Sequence, residues 1–259
     1  MDIAVILRQV PDTEAAVKPD PARPGAILET DIKFILNPYD EYAVEEALRI
    51  TQKLGGSAVG FCVGPERSEA ALRTALAMGL ERAVWVCEPA AWQADLVTQG
   101  RILAAAIKGG GFAPSLILCG REMIDTQEDA MAAAVAQALD IPHVLGAAKI
   151  ELSGDKAVVS REVEGATLEI EATLPAAVSC SKGLNEPRYP TLIAIKRSKN
   201  KEIKKATLAE LGVAPGPSQS KVLALKSPPP RAKGVRAEGE PAEVTAQGMD
   251  WLANTAKVI

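Results

Sequence analysis

The sequence is poor in aromatics, in histidine and in long apolar runs, and each shortage excludes something. Three Trp, three Tyr and three Phe in 259 residues leave the core to be filled by Ala, Val, Leu and Ile. They also supply no aromatic platform for stacking nucleic-acid bases beside the one basic segment. The single histidine, His143, follows Ile141 and Pro142 at an expected strand start. A lone imidazole there reads as structural, and its isolation removes the Ser-His and Cys-His schemes. Cys62, Cys87, Cys119 and Cys180 lie far apart, three of them in apolar runs, which fits reduced, buried thiols better than a disulfide framework or a metal knuckle. No apolar run reaches the roughly 18 residues of a membrane span, so no direct membrane insertion is expected. The formal charge of -4 argues against a dedicated nucleic-acid binder. The opening "MDIAVILRQVPDT" has no basic leader or cleavage site and begins as a strand, which points to a bacterial or cytoplasmic setting with no targeting segment.

What is present is an alternation of short apolar runs with amphipathic stretches. The runs cover residues 3–10, 57–64, 82–89, 115–120 and 176–181, the pattern of a parallel sheet covered by helices. The first helix opens at Asn37-Pro38, an N-cap amide before a proline harmless at the first helical position, and stops at Gly55-Gly56. Others are expected over 68–78, from about Asp95 to the glycines at 109–111, and over about 127–139. From Ala147 the period becomes two, with "SGDK" and "EGA" as turn signals, so 147–174 reads as an antiparallel hairpin or meander added to the sheet. The expected organisation is an α/β domain over 1–211 and a Pro-, Gly- and Ser-rich arm with a last short helix over 212–259, too poor in core residues to pack on itself.

In an open parallel sheet, ligands bind beyond the carboxyl ends of the strands, where strand order reverses. The loops there are "RQVPDT", "VGPERS" and "GREMIDTQEDAM". None is a Walker loop or a G-x-G-x-x-G fingerprint. Each reads either as a polar helix-capping loop or as backbone amides for a nucleotide phosphate at a helix start. Glu45, Glu46, Glu128 and Asp129 read as solvated helix faces and helix-start charges. The chain looks like a binder whose chemistry belongs to a cofactor, not an enzyme by itself.

Residues 184–205, "LNEPRYPTLIAIKRSKNKEIKK", are conspicuously basic for an acidic chain. Prolines on each side of Arg188-Tyr189 stiffen an extended exit from the last strand. "TLIAI" is then expected to expose apolar side chains on a loop ringed by lysines. That arrangement suits a fast, weak protein contact, in which charge raises the on-rate and modest apolar area keeps release quick.

The strings "LRQVPDT", "LNPYDEYAVEEALR", "VGPERSEAALRTALAMGLERAV", "LILCGREMIDTQED", "LPAAVSCSKGLNEPRYPTL" and "PPPRAKGV" with a final "AKVI" together resemble the beta, or small, subunit of electron transfer flavoproteins, along almost the whole chain. The resemblance implies a Rossmann-like, adenine-nucleotide-hydrolase-like sheet and a heterodimer whose alpha subunit holds most of an FAD. It implies a structural AMP in the beta subunit, electrons from flavin-dependent dehydrogenases of the acyl-CoA dehydrogenase type, and delivery to a membrane electron transfer flavoprotein:quinone oxidoreductase. The C-terminal arm would reach over the alpha subunit.

By this resemblance the AMP contacts fall on Ile6, on Asn37, Pro38, Tyr39 and Asp40, on Val63, and in the loop from Gly120 to Met131 on Gly120, Arg121, Glu122, Met123, Asp125, Asp129, Ala130 and Met131. Tyr39 matches an aromatic beside the flavin. Leu192 matches the leucine that anchors the dehydrogenase, with Ile193, Ile195, Lys196, Arg197 and Lys199 beside it. The fourth loop departs from the family's pattern: Glu122 and "QEDAMAAA" bring extra carboxylates toward the phosphate, and like charges at ~4 Å repel by about 4 kcal/mol at an effective dielectric of 20. Two alternatives stand beside this reading, a bifurcating relative with a second FAD in place of AMP and a stand-alone stress-type adenine-nucleotide protein. The segment "WQADLVTQGRILAAA" resembles the non-bifurcating kind.

Overall fold

The computed structural model describes every residue except 215–217, 232 and 235, which lie in the expected arm and include part of its "PPPRAKGV" string. Two compact units emerge, Met1–Leu225 and Lys226–Ile259.

In chain order the first unit runs β1 (Ile3–Leu7), β2 (Gln9–Pro11), β3 (Phe34–Leu36), α1 (Pro38–Leu54), β4 (Ala58–Val63), a 3-10 turn at Glu66–Ser68, α2 (Glu69–Met78), β5 (Arg82–Val86), α3 (Pro89–Trp92), α4 (Leu96–Gly109), β6 (Leu116–Gly120) and α5 (Met131–Leu139). It continues through β7 (His143–Ser153), β8 (Lys156–Val163), β9 (Ala166–Thr173), β10 (Ala176–Cys180), α6 (Leu192–Ser198) and β11 (Ile203–Ala206). The second unit holds α7 (Pro241–Asp250) and a π-helical turn, Trp251–Ala256. No residue of α7 is buried, so it has an apolar content with no core of its own.

The main sheet has nine strands in the order β11-β5-β4-β1-β6-β10-β7-β8-β9. Neighbours from β11 to β7 pair parallel, and β7-β8-β9 form an antiparallel meander. This is the expected doubly wound α/β architecture. Alternation divides the core: Ile3, Val5 and Leu7 of β1 join the layer under α1 and α2, whereas Ala4 and Ile6 join the layer under α4 and α5. Ala43 and Ala47 are fully buried, small enough to let α1 lie close on the sheet.

Several expectations are corrected. The run 3–10 is broken after Leu7, because Gln9–Pro11 turns away to pair antiparallel with Phe34–Leu36. The fourth helix starts at Met131, not near residue 127: the Met123 N–H bonds to the Glu128 carbonyl at 3.0 Å and the Gln127 N–H to the Met123 carbonyl at 2.7 Å, closing a loop in which Gln127 takes φ of 56°. Glu45 and Glu46 are buried, not solvated. The "TLIAI" segment is helix, not loop, because the Thr191 hydroxyl accepts the Ala194 N–H at 3.2 Å and starts α6. The lysine run ends in an edge strand, β11, paired parallel to β5.

Candidate functional site

The chain leaves β1 for β4 and β5 on one side and returns for β6, β10 and β7 on the other, so strand order reverses between β1 and β6. Their carboxyl ends border a small cavity lined by Ile6, Arg8, Asp40, Cys119, Gly120, Glu122, Met123, Glu128 and Met131. Its volume is about 10 Å³, the room of roughly one water molecule.

The cavity's frame is a single carboxylate. The Asp40 Oδ2 accepts the Arg8 N–H at 2.8 Å and its Oδ1 accepts the Gly120 N–H at 3.0 Å, so one side chain ties together the ends of β1 and β6. Asn37 Nδ2 donates to the same Oδ1 and to the Glu122 carbonyl, both at 3.0 Å, and Asn37 Oδ1 accepts the Ile124 N–H at 3.4 Å. The expected N-cap amide therefore does no capping; it stitches the start of α1 to the 121–130 loop. Gly120 is required there, since a Cβ would sit 2.5 Å from Asp40 Oδ1 and 2.7 Å from the Tyr39 backbone carbon. Burial pushes the Asp40 carboxyl up to about 7, against the pull of the Arg8, Asn37 and Gly120 donors.

The structure brings Ile6, Asp40, Gly120, Glu122, Met123 and Met131 together at the cavity. Asn37 supports it from below, and Pro38 opens α1 beside it. Tyr39 is half-buried next to Glu122, and its phenol is raised by burial first and then by that carboxylate. Ala130 is half-buried ahead of α5, while Arg121, Asp125 and Asp129 are exposed. Val63, buried at the end of β4, does not line the cavity.

Sequence reasoning placed Arg8 in the loop "RQVPDT" but did not name it as a site residue. Its guanidinium occupies the cavity mouth, with Nη1 donating to Met123 Sδ at 2.8 Å and lying 3.9 Å from Glu128 Oε2, and Nη2 lying 3.5 Å from Asp125 Oδ2. The available signal was its place as the first residue beyond a central strand. The fourth loop's carboxylates thus have separate surroundings: Glu122 faces Tyr39, Asp125 and Glu128 face Arg8, and Asp129 meets solvent. Cys119, on the cavity floor, has its thiol pushed up by burial, as does Cys62 nearby, which reaches about 12; neither is a thiolate at neutral pH.

A second cluster lies farther along α1. Arg188 Nε and Nη2 donate to Glu45 Oε2 and Oε1 at 2.7 and 2.9 Å. Asn185 Nδ2 donates to Glu46 Oε2 and to the Tyr42 carbonyl, both at 3.0 Å. These bonds fix the extended segment that leads into α6, on which Leu192 is 79% exposed, Ile193 63% and Ile195 42%, with Lys196, Arg197 and Lys199 also exposed. Among the described residues no helix is long and apolar enough to cross a membrane.

A reversal of strand order with helices starting at the strand ends defines the class: a doubly wound, Rossmann-like α/β protein. The model of the electron transfer flavoprotein domain matches residues 25–211. Over 262 aligned residues the chain is 36% identical to the electron transfer flavoprotein subunit beta of Bacillus subtilis (strain 168), covering all of both chains. The same subunit of Syntrophomonas wolfei is 35% identical, covering all of this chain and 98% of that one. That of Sus scrofa is 34% identical, covering 90% and 91% respectively. The chain belongs to the electron transfer flavoprotein family, among its beta subunits.

Proposed function

We propose that this chain forms a heterodimer with an alpha subunit, which holds most of an FAD, and carries electrons from flavin-dependent dehydrogenases of the acyl-CoA dehydrogenase type to a membrane electron transfer flavoprotein:quinone oxidoreductase. It does so in the bacterial cytoplasm, as a carrier and not as a catalyst by itself, with a structural AMP at the β1/β6 crevice. The observation that carries this reading is that one helix serves two jobs. Its first turn, with Tyr39 and Asp40, borders the crevice, and about 9 Å along its axis at ~1.5 Å per residue Glu45 and Glu46 hold the segment that presents Leu192. A carrier needs its cofactor wall and its docking patch in a fixed relation, and α1 supplies it.

The donor set fits an adenine nucleotide. Ile6, Met123 and Met131 give apolar walls for a base plane, Arg8 gives a cation for phosphate, and α5 begins at the cavity with Met131. The small cavity volume means that Arg8 and the 121–130 loop must give way for the ligand. FAD, when bound, supplies reversible electron acceptance; Tyr39 would stand beside it, and the half-buried ring excludes water from that edge. Ile193 and Ile195 extend the Leu192 contact, Lys196, Arg197 and Lys199 steer it, and Lys226–Ile259 would pack on the alpha subunit.

The test is mass spectrometry of the nucleotides released from the purified complex. One FAD and one AMP per heterodimer is the expected result. Two FAD would select the bifurcating relative, FAD alone would mean that the altered fourth loop has lost AMP, and a colourless homodimer would overturn the reading in favour of the stress-type protein.

A further inference from the structure

We propose that Arg73 is a positioning residue for docking: from α2 it caps the carboxyl end of α6 and so keeps in helical shape, with Leu192 presented, a segment that the core does not hold. This rests on the docking reading above and adds to it a residue outside the docking segment.

The first support is how little α6 buries. Of its seven residues only Ser198 is buried and only Ala194 is half-buried. These two stand four apart and face inward together, while Leu192, Ile193 and Ile195 are all exposed. A helix of about two turns is far below the length that is stable in water by itself. An inward face of one alanine and one serine supplies almost no apolar burial to offset that. The shape of α6 therefore depends on polar bonds at its ends.

The second support is where those bonds come from. At the amino end the cap is local, the Thr191 hydroxyl accepting the Ala194 N–H at 3.2 Å. At the carboxyl end it is remote. Arg73 Nη1 donates to the carbonyls of Ser198 and Lys201, both at 2.8 Å, across 125 and 128 residues of sequence, and it has one hydrogen for each. The other edge of the guanidinium is taken by Glu69 Oε1, which accepts from Nε at 3.2 Å and from Nη2 at 3.0 Å. One turn of α2 thus aims a cation at the negative end of α6. Because α2 belongs to the core through Leu72, Ala75 and Leu76, Arg73 ties α6 to a rigid support.

The consequence for docking is one of population. Without the cap α6 also takes shapes that do not present Leu192, and the apparent affinity for a partner falls with the fraction that does. Once the partner is bound the contact is the same, so transfer within the docked complex keeps its rate.

The experiment compares the wild-type heterodimer with Arg73→Ala, Arg73→Lys and Leu192→Glu by hydrogen exchange, thermal melts and steady-state kinetics with an acyl-CoA dehydrogenase. In Arg73→Ala the Ile195 amide, bonded to the Thr191 carbonyl at 2.9 Å, should exchange at least about tenfold faster relative to the amides of β1, as loss of a bond to a charged group allows. The KM for the carrier should rise about three- to tenfold with kcat unchanged, following the lost population. Arg73→Lys, which keeps the charge but cannot serve Glu69 and both carbonyls, should fall between. Wild-type relative exchange and wild-type KM in Arg73→Ala would overturn the proposal whatever the melts show, since an arginine that only braces the fold lowers the melting temperature alone. A raised KM in Leu192→Glu beside an unchanged one in Arg73→Ala would remove Arg73 and leave the docking reading in place. An unchanged KM in Leu192→Glu would take both away.

Discussion

The guanidinium of Arg188 grips the carboxylate of Glu45 through two bonds across 143 residues of sequence, and the Arg188 N–H adds a third contact at 3.2 Å. The two partners are unequally placed, for the Glu45 side chain is 8% exposed and that of Arg188 35%. Only one of them is left stranded when the other is removed.

Arg188→Ala should therefore cost more than Glu45→Ala. Without Arg188 a buried carboxylate loses its cation, a loss on the order of 2 kcal/mol once the partial exposure of the pair is discounted. Without Glu45 the arginine turns to solvent. Urea unfolding of both single variants and the double variant checks this, and equal losses in the two singles would contradict the unequal burial. The double variant should recover part of the Arg188→Ala loss.

The same pair shows why part of the site was hidden in the sequence. "AVEEALR" has two glutamates in mid-helix, and nothing local says that a segment some 140 residues later arrives to cover them. The strands of the parallel sheet were legible because a strand buried on both faces is a continuous apolar run bounded by turn residues. By contrast β11, Ile203–Ala206, contains two lysines in four residues, and a short charged edge strand looks like coil until its partner is known. Arg8 was overlooked for a different reason: it opens the loop "RQVPDT" named beyond the first strand, but nothing local shows that the loop after β6 brings Met123, Asp125 and Glu128 to its guanidinium.

The basic segment divides by position into residues that brace the fold and residues that stand exposed, the latter proposed above for docking. Lys201 Nζ donates to the carbonyls of Leu76 and Leu80 at 3.0 and 2.6 Å, capping the end of α2, while Arg73 of α2 donates to the carbonyls of Ser198 and Lys201, both at 2.8 Å. Lys201→Ala should lower stability by ~1–2 kcal/mol and leave the association rate with the dehydrogenase unchanged. Lys196→Ala with Lys199→Ala should do the reverse, slowing association and flattening its salt dependence without moving the melting temperature. Stopped-flow rates at two ionic strengths, beside thermal melts, separate the two outcomes.

Leu192, at 79% exposure, contributes little to the fold, so its removal isolates the proposed docking role. Leu192→Glu should raise the KM of the dehydrogenase for the carrier by at least about tenfold, as loss of an interface anchor does. Flavin content and melting temperature should stay as in the wild type. Unchanged transfer kinetics would remove α6 as the docking element.

Asp40 joins the frame of the crevice to pH. Burial raises its carboxyl from 3.8 to about 7, so between those values the folded chain holds a proton that the unfolded chain has already lost. By linkage, stability falls as pH rises wherever the folded state binds more protons. The contribution of Asp40 is thus most favourable below about pH 4, declines through the interval up to about 7, and is flat above it. Asp40→Asn removes this titration. The variant should be less stable overall, because its one acceptor oxygen cannot serve the N–H groups of both Arg8 and Gly120. Its disadvantage relative to the wild type should shrink as pH goes from 5 to 8, since only the wild type loses stability over that range through this group. Urea unfolding at both pH values provides the comparison, and because every other titrating group is common to the two proteins, a constant difference would mean that the carboxylate tying β1 to β6 is ionised throughout.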